Sequence, residues 1–268
     1  MASSLTRSDT VSSQHAAEDP EGDRVTVRLQ WLADGSPVEG QKSPSLSLSE
    51  LRRGNRISLE LTPVDAKGAV GPVFRTEAVE VANTPPIVTR VAVEPATAKP
   101  GDVLRATVEG SDIDGDPVKY VFEWWRNGTS LGAPAKDQEQ RTQATDGFAR
   151  GDLIVAGVTP YDAGGAGRFL VSEPIVLLNR PPAITSSPGG LTSQGLFEYA
   201  VTATDPDNDT LTYKLETAPA GMTIEAGTGK ITWQIPAGVT SPQQIRIGVD
   251  DGHQGQAFQE FTLSPPPR

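Results

Sequence analysis

The chain has 268 residues, with 27 glycines, 23 prolines and no cysteine, which excludes disulfide bonds and thiolate metal sites. Its net charge of −11 and pI of about 4.7 argue against binding to nucleic acid or to an anionic membrane, because both are negatively charged. No stretch approaches the roughly 18 apolar residues of a membrane-spanning helix, so we expect no membrane insertion.

The first recognisable element is an acidic loop that runs into a strand. Three carboxylates alternate with other residues in this loop: Asp19, Glu21 and Asp23. Apolar residues then recur at every second position over 25–31, and this alternation predicts a β-strand with one buried face. Further strands are predicted over 56–61 and 79–81, on either side of a turn that contains Asp65.

The residues before this loop have a weaker pattern. Residues 1–16 are polar and Ser-rich, and 9–15 align with 102–108, where a related segment alternates well. This part of the chain is therefore predicted to lack a first strand and to have a poor second one. Two explanations stay open: the sequence is a fragment of a longer array, or a neighbouring chain supplies the missing strand by β-augmentation and builds a filament.

The unit of acidic loop and strand recurs twice along the chain. The second loop contains Asp112, Asp114 and Asp116, and the third contains Asp205, Asp207 and Asp209. The equal spacing of 93 residues from Asp19 to Asp112 and from Asp112 to Asp205 predicts three related modules. We assign module 1 to 1–84, module 2 to 85–181 and module 3 to 182–268.

Short proline pairs join the predicted modules. Pro85-Pro86 and Pro181-Pro182 restrict the backbone and disfavour helix, so we predict stiff, extended connectors and a rod-like array. Each module offers roughly seven short strands, which is the size of an immunoglobulin-like sandwich. The predicted fold class is therefore all-β, with tandem β-sandwich modules.

One tripeptide in module 2 invites a functional reading. Arg150-Gly151-Asp152 spells an integrin-binding sequence. Module 1 has Arg53-Gly54-Asn55 at the corresponding place, just before a strand. Because the feature repeats with the modules, we interpret it as a turn.

Several stretches of module 3 resemble the immunoglobulin-like, cadherin-like repeats of bacterial surface proteins. The stretches are 180–184, 199–207, 219–224, 229–233 and 251–252. Modules 1 and 2 are similar to a related tandem type of secreted bacterial proteins, through 120–124, 127–128 and 159–162. Two positions depart from the pattern, since Ile113 replaces a proline and Glu21 replaces an aspartate. The resemblance implies an extracellular or cell-surface array, adhesive or a spacer and sometimes calcium-stabilised, although the sequence shows no export signal.

The acidic loops suggest a metal. Three alternating carboxylates repel one another unless a hard cation neutralises them, and calcium is the natural candidate. Asp112, Asp114, Asp116 and Glu123 have the spacing of an EF-hand loop. However, Pro117 stands where that loop needs glycine, and a strand follows instead of a helix. We therefore reject the EF-hand.

The resemblance also predicts where in each module the metal would lie. In an immunoglobulin-like sandwich the acidic segment falls in the B–C loop, and Asp65, Asp162 and Asp251 fall in the F–G loop at the same end. We predict one calcium ion per module at this end, beside the incoming connector in modules 2 and 3. The alternative is that the carboxylates only form turns.

Catalysis has little support in the sequence. The two histidines, His15 and His253, lie in weakly patterned segments, and the carboxylates follow the module period, which a single catalytic pair would break. We predict no enzyme activity, and an adhesion or spacer function with an unknown protein or glycan partner besides the neighbouring modules. The alternative is an accessory carbohydrate-binding region of a secreted polysaccharide-active enzyme, with Trp125 as a stacking platform. Trp31, Trp124 and Trp233 are predicted to be core residues.

Overall fold

A computed structural model describes residues 4–132, 141–192 and 194–264 of the chain. All regular elements in these ranges are β-strands, 23 in number. Within the same ranges, no helix is long and apolar enough to cross a membrane. The strands form antiparallel sheets, as the alternating sequence pattern predicts.

Module 1 contains seven strands. They are β1 (Thr10–Ser12), β2 (Thr26–Ala33), β3 (Ser36–Pro37), β4 (Ser45–Ser47), β5 (Arg56–Val64), β6 (Phe74–Arg75) and β7 (Val79–Glu80). One sheet has the order β3-β2-β5-β6, with β7 also paired to β5, and the facing sheet contains only β1 and β4. The long pair β2 and β5 carries the alternating residues that follow the first acidic loop.

Module 2 contains eight strands. They are β8 (Ile87–Glu94), β9 (Val103–Ser111), β10 (Lys119–Arg126), β11 (Thr129–Ser130), β12 (Thr142–Ala144), β13 (Leu153–Tyr161), β14 (Leu170–Val171) and β15 (Ile175–Val176). One sheet has the order β11-β10-β13-β14, with β15 also paired to β13, and the facing sheet has the order β12-β9-β8. The first sheet repeats the order found in module 1.

Module 3 also contains eight strands. They are β16 (Ala183–Ile184), β17 (Leu196–Ala200), β18 (Ala203–Thr204), β19 (Thr212–Thr217), β20 (Thr223–Ile224), β21 (Lys230–Gln234), β22 (Gln243–Asp250) and β23 (Gln256–Leu263). They form sheets of order β19-β22-β23 and β17-β21-β20, together with the pair β16-β18.

Each module has its own hydrophobic core between its sheets. In module 2, Val91 and Leu104 from one sheet pack with Phe122 and Ile154 from the other. The predicted core tryptophans are all buried: Trp31, Trp124 and Trp233. Their rings fill the sandwich, and the Trp31 and Trp233 indoles also donate hydrogen bonds to backbone carbonyls. The fold is therefore a tandem array of immunoglobulin-like β-sandwiches, as the sequence predicts.

Candidate functional site: the module junctions

The first aspartate of each acidic loop builds the loop itself. In module 2, Oδ1 of Asp112 accepts hydrogen bonds from the backbone N–H groups of Asp114 and Asp116, at 2.8 and 3.1 Å. The same two bonds recur at Asp19, at 2.7 and 3.3 Å, and at Asp205, at 2.7 and 3.2 Å. These carboxylates therefore have the turn-forming role that the alternative interpretation gave them.

The aspartates of the F–G loops work in the same way. Oδ1 of Asp162 accepts hydrogen bonds from the N–H groups of Gly164 and Gly165, both at 2.7 Å. Asp65 and Asp251 also accept two backbone hydrogen bonds each from their own loops. One oxygen of each carboxylate is thus used within the module, and the other oxygen is available to a partner.

In modules 2 and 3 that partner is the preceding connector. The Asn83 side-chain amide donates to Oδ2 of Asp162 at 3.0 Å, and the backbone N–H of Thr84 donates to Oδ2 of Asp114 at 2.8 Å. We call the contacts of residues 7, 53, 83 and 84 with module 2 junction 1. The F–G loop and the acidic loop of one module thus meet the same short connector, as the sequence predicts.

Junction 2 repeats this arrangement between modules 2 and 3. It comprises the contacts of residues 150, 179 and 180 with module 3. Asn179 donates to Oδ2 of Asp251 at 2.6 Å, and the backbone N–H of Arg180 donates to Oδ2 of Asp207 at 2.8 Å. The two junctions share no strand, so the repetition reflects the sequence of the modules themselves.

An arginine from the preceding module faces the third acidic residue of the loop at both junctions. The Arg53 guanidinium pairs with the Asp116 carboxylate and donates to Oδ1 of Asn83 at 2.5 Å. The Arg150 guanidinium likewise pairs with Asp209 and donates to Oδ1 of Asn179 at 2.7 Å. Each arginine therefore holds an aspartate of the next module and the connector asparagine together.

A second guanidinium reaches the middle residue of the acidic loop. In junction 2, Arg180 donates to Oδ1 of Asp207 from Nε at 2.9 Å and from Nη2 at 2.7 Å. Junction 1 has Thr84 at the corresponding position, and there Arg7 lies with Nη1 3.5 Å from Oδ1 of Asp114. The backbone N–H of Arg7 also donates to Oγ1 of Thr84 at 3.0 Å. Two different residues thus bring a positive charge to equivalent aspartates.

The acidic loop of module 1 is neutralised from within its own module. Lys67, in the F–G loop, places Nζ 2.7 Å from Oδ2 of Asp23 and 3.7 Å from Oε2 of Glu21. His253 lies in the corresponding loop of module 3, with Nδ1 3.5 Å from Oδ2 of Asp209. All three acidic loops therefore have a cationic or ionisable partner in the folded chain, and the sequence alone did not identify these partners.

Two clusters of three carboxylates each have the geometry of a cation site. The ligand oxygens of Asp205, Asp209 and Asp251 lie within 4.8 Å of one another, and so do those of Asp19, Glu21 and Asp23. Oδ2 of Asp205 and Oδ2 of Asp112 are buried without a hydrogen-bond partner. Buried carboxylate oxygens that lack a donor fit a hard cation such as calcium. Arg150, however, already brings one positive charge to Asp209.

The junction contacts shift the acidity of the carboxylates. The hydrogen bond from Asn83 holds the pKa of Asp162 below its usual value of 3.8, although burial opposes this shift. At Asp207, burial acts to raise the pKa. The hydrogen bonds and positive charge of Arg180 outweigh burial, so the pKa of Asp207 is lowered. Burial also opposes the lowering at Asp251, where Asn179 and two backbone N–H groups prevail. The carboxylates are therefore ionised in the assembled junctions at neutral pH.

The sequence prediction missed the residues that hold the two kinds of loop at the junctions: two arginines that pair with the acidic loops and two asparagines that donate to the F–G-loop aspartates. These are Arg53, Arg150, Asn83 and Asn179. The signal was present, because an arginine recurs before the same strand and an asparagine recurs before each proline pair. The Arg150-Gly151-Asp152 tripeptide does form a turn, with Gly151 at φ +84°, and the turn presents its arginine to the next module.

Trp125 has a packing partner on the outer face of module 2. Its ring lies edge-on to Phe169, with 5.9 Å between the ring centroids. Both rings lie over Gly157, where a Cβ atom would come within 2.3 Å of Phe169 and 2.7 Å of Trp125. Trp125 is half-buried. Packing against Phe169 and Gly157 therefore explains the position of Trp125. Trp125 gives no separate support to the carbohydrate-binding alternative.

Comparison with known proteins agrees with the resemblance seen in the sequence. Residues 174–265 match a family model described as "Putative Ig domain", which confirms the resemblance of the third module to immunoglobulin-like repeats. No curated protein matches the chain.

Solved structures with a similar fold are themselves tandem arrays. Extracellular domains 3–5 of Drosophila OTK are 10% identical, with 96% of this chain and 91% of that chain covered and a TM-score of 0.36. The I-band fragment I67–I69 of titin is 12% identical, with 97% and 93% covered and a TM-score of 0.37. The N-terminal eight Ig domains of DSCAM are 12% identical, with 90% and 34% covered and a TM-score of 0.47.

Proposed function

We propose that this chain, whose third module matches the Ig-domain family, is a non-catalytic array of the extracellular space or cell surface that acts as an adhesion or spacer rod. Tandem Ig-like modules are typical of such proteins and are generally not enzymes. The bacterial surface origin that the resemblance implies is part of this proposal. Its partner is a protein or glycan of a cell surface or matrix, together with the neighbouring modules of the array.

The repetition of the junction carries this proposal. The same asparagine, arginine and backbone donors meet the same carboxylates at two successive junctions. A flexible hinge between independent modules would not need the same set of contacts at both junctions. Several directional contacts on both sides of a short proline-containing connector restrict bending and rotation. A fixed orientation at every junction is the property that a spacer requires.

Acid is expected to loosen the rod. The pKa values of Asp162, Asp207 and Asp251 are lowered from 3.8 by their junction partners, so these contacts stabilise the closed junctions above 3.8. The stabilisation is lost as the pH falls below 3.8, through the lowered pKa values. Distances between dyes on modules 2 and 3, measured by single-molecule energy transfer, should stay narrowly distributed above pH 3.8 and broaden as the pH is lowered below 3.8.

Circular dichroism at each pH provides the control, because it shows whether the modules themselves stay folded. A narrow distance distribution that persists throughout the titration below pH 3.8, while the modules stay folded, would count against carboxylate-held junctions. A broad distribution already at neutral pH would contradict the rod itself.

We further propose that module 3 binds calcium weakly through Asp205, Asp209 and Asp251. The unpartnered Oδ2 of Asp205 supports this site, whereas the charge of Arg150 beside Asp209 reduces its affinity. A dissociation constant of about 0.1–1 mM is typical of extracellular calcium modules. Calcium at about ten times that constant should stabilise module 3 by about 1.4 kcal/mol. Calorimetry in calcium and in chelator measures the shift.

Matched variants test this site. Asp205→Asn should abolish the calcium-dependent rise in melting temperature, and magnesium should not replace calcium. Asp19→Asn makes the same change in the acidic loop of module 1 and should leave the shift in module 3 intact. Identical melting curves in calcium and in chelator would show that the acidic loop of module 3 needs no cation beyond Arg150 and Arg180 of the preceding module.

A further inference from the structure

We propose that the F–G loops of modules 2 and 3 each contain a binding site for one asparagine carboxamide, and that a glycine in each loop makes room for it. We call these sites amide sockets. The socket of module 2 consists of Asp162 and Gly164, and that of module 3 consists of Asp251 and Gly255. The inference rests on the rod proposed above, and it identifies the residues that decide whether a module can stack on a connector asparagine.

The Asn83 carboxamide is bound at both of its polar ends. Its Nδ2 donates to Oδ2 of Asp162 at 3.0 Å, and its Oδ1 accepts from the Arg53 guanidinium at 2.5 Å. A carboxamide fits this place because it carries a donor and an acceptor on one planar group. A carboxylate would face the carboxylate of Asp162 and be repelled. The socket therefore selects asparagine over aspartate.

Junction 2 binds its connector asparagine in the same way. Nδ2 of Asn179 donates to Oδ2 of Asp251 at 2.6 Å, and Oδ1 accepts from the Arg150 guanidinium at 2.7 Å. Both asparagines are half-buried, so little water competes for these hydrogen bonds. The same side chain is thus held by the same two charged groups at both junctions.

Gly164 leaves the space that the carboxamide occupies in module 2. A Cβ atom on Gly164 would lie 2.4 Å from both Cγ and Nδ2 of Asn83, far inside van der Waals contact. The φ of Gly164 lies outside the left-handed region, so an alanine would not strain the backbone of the loop. The group that has to move is the end of the Asn83 side chain. A methyl group at this position therefore expels the asparagine and leaves the loop intact.

Gly255 leaves the equivalent space in module 3. A Cβ atom there would lie 2.6 Å from Nδ2 of Asn179 and 1.9 Å from Oδ2 of Asp251. It would displace both members of the hydrogen bond that closes junction 2. The glycine stands two residues after the aspartate in module 2 and four residues after it in module 3.

Module 1 has a side chain at both of these positions. Lys67 stands two residues after Asp65, and Ala69 stands four residues after it. Their N–H groups donate to Oδ1 of Asp65 at 2.9 and 2.7 Å, so this loop has the same backbone turn as the sockets. Nζ of Lys67 also lies 2.7 Å from Oδ2 of Asp23, where the other two acidic loops are paired with an arginine of the preceding module. The F–G loop of module 1 is thus closed to a connector asparagine.

Two adjacent glycines of one loop provide the test. Gly164→Ala places a methyl group in the socket, whereas Gly165→Ala places the same group where no atom lies within 4 Å. Because the chain has no cysteine, single cysteines introduced on modules 1 and 2 can carry dyes for single-molecule energy transfer. Gly164→Ala should raise the ratio of open to closed junction 1 at least about tenfold, because a hydrogen bond to a charged group is lost. Gly165→Ala should keep the narrow distance distribution of the wild type.

Three further variants test how the glycine acts. Asn83→Asp keeps the size of the side chain but faces Asp162 with a negative charge, and it should open junction 1. Gly164→Lys copies the loop of module 1 and should open it as well. Gly164→Ala should add nothing to Asn83→Ala, because its methyl group acts only through the asparagine. Dyes on modules 2 and 3 should show junction 2 unchanged in all of these variants.

The outcomes separate the socket from the rod. A broad distribution in the wild type would overturn the rod and the socket with it. A narrow wild-type distribution that Gly164→Ala leaves unchanged would overturn the socket alone, as would equal effects of Gly164→Ala and Gly165→Ala. Circular dichroism and the melting temperature show whether each variant is folded. Asn83→Asp lies in the connector, outside both cores, so a junction that stays closed in this variant also overturns the socket.

Discussion

Replacement of Arg150 by glutamate is expected to open junction 2. The Arg150 guanidinium holds Asp209 of module 3 and Asn179 of the connector, and glutamate would place a negative charge beside Asp209. Asp207 and Asp251 lie near enough to contribute to the electrostatic environment of Arg150. Repulsion among these carboxylates then favours separation of the two modules.

The effect should be confined to the junction. Arg150 lies in a turn at the end of module 2, so both sandwich cores are expected to remain intact. Energy transfer between modules 2 and 3 should change from one narrow distance distribution to a broad one. The double variant Arg150→Glu with Asp209→Arg restores an opposite pair and should recover much of the narrow distribution.

Two controls separate this result from a general charge effect. Arg246→Glu removes an exposed pair with Glu260 on the surface of module 3 and should leave the distances unchanged. Arg53→Glu should open junction 1 but not junction 2. If Arg150→Glu kept the narrow distribution, the guanidinium would not be what fixes the modules.

Replacement of Asp251 by alanine is expected to destabilise module 3 and to loosen junction 2 together. The side chain is buried, and its two oxygens accept hydrogen bonds from His253 at 2.6 Å, Gly255 at 2.9 Å and Asn179 at 2.6 Å. Alanine leaves these donors without their acceptor. Because a buried unsatisfied donor costs about 1–3 kcal/mol, we expect a loss of about 2–4 kcal/mol.

Asp65→Ala is the matched change in module 1. Asp65 accepts the equivalent backbone hydrogen bonds from Lys67 and Ala69, which are exposed to solvent, so water can replace the carboxylate. We expect a loss of about 1 kcal/mol or less in that module. Hydrogen exchange in denaturant resolves the modules, with β22 reporting on module 3 and β5 on module 1. Equal losses in both modules would show that the junction adds nothing to the turn.

The junctions suggest a physical reason for the strongly acidic loops. Guanidinium groups neutralise a carboxylate while donating directional hydrogen bonds, so they fix an orientation as well as a charge. A bound calcium ion neutralises more charge but imposes less directional constraint. In this chain Arg53 and Arg150 supply the first kind of contact at both junctions, and calcium is proposed only where a buried oxygen remains without a donor.

The fold could be predicted from the sequence because its signals are local. Alternation over 25–31 and 118–124 fixes which face of β2 and β10 is buried, and the buried Trp31 and Trp124 confirm that phase. The turn-forming role of Asp112 is equally local, since its hydrogen bonds reach only two and four residues along the chain. The equal spacing of the acidic loops then predicted three such modules in the chain.

The partners of the acidic loops depended on the tertiary structure. Arg53 lies 63 residues from Asp116, and Arg150 lies 59 residues from Asp209, so no local pattern joins them. They meet because one end of each sandwich is placed against the loops of the next by the connector asparagine and backbone. The sequence by itself therefore determined the module and the position of its carboxylates, whereas the packing of one module on the next decided which positive groups face them.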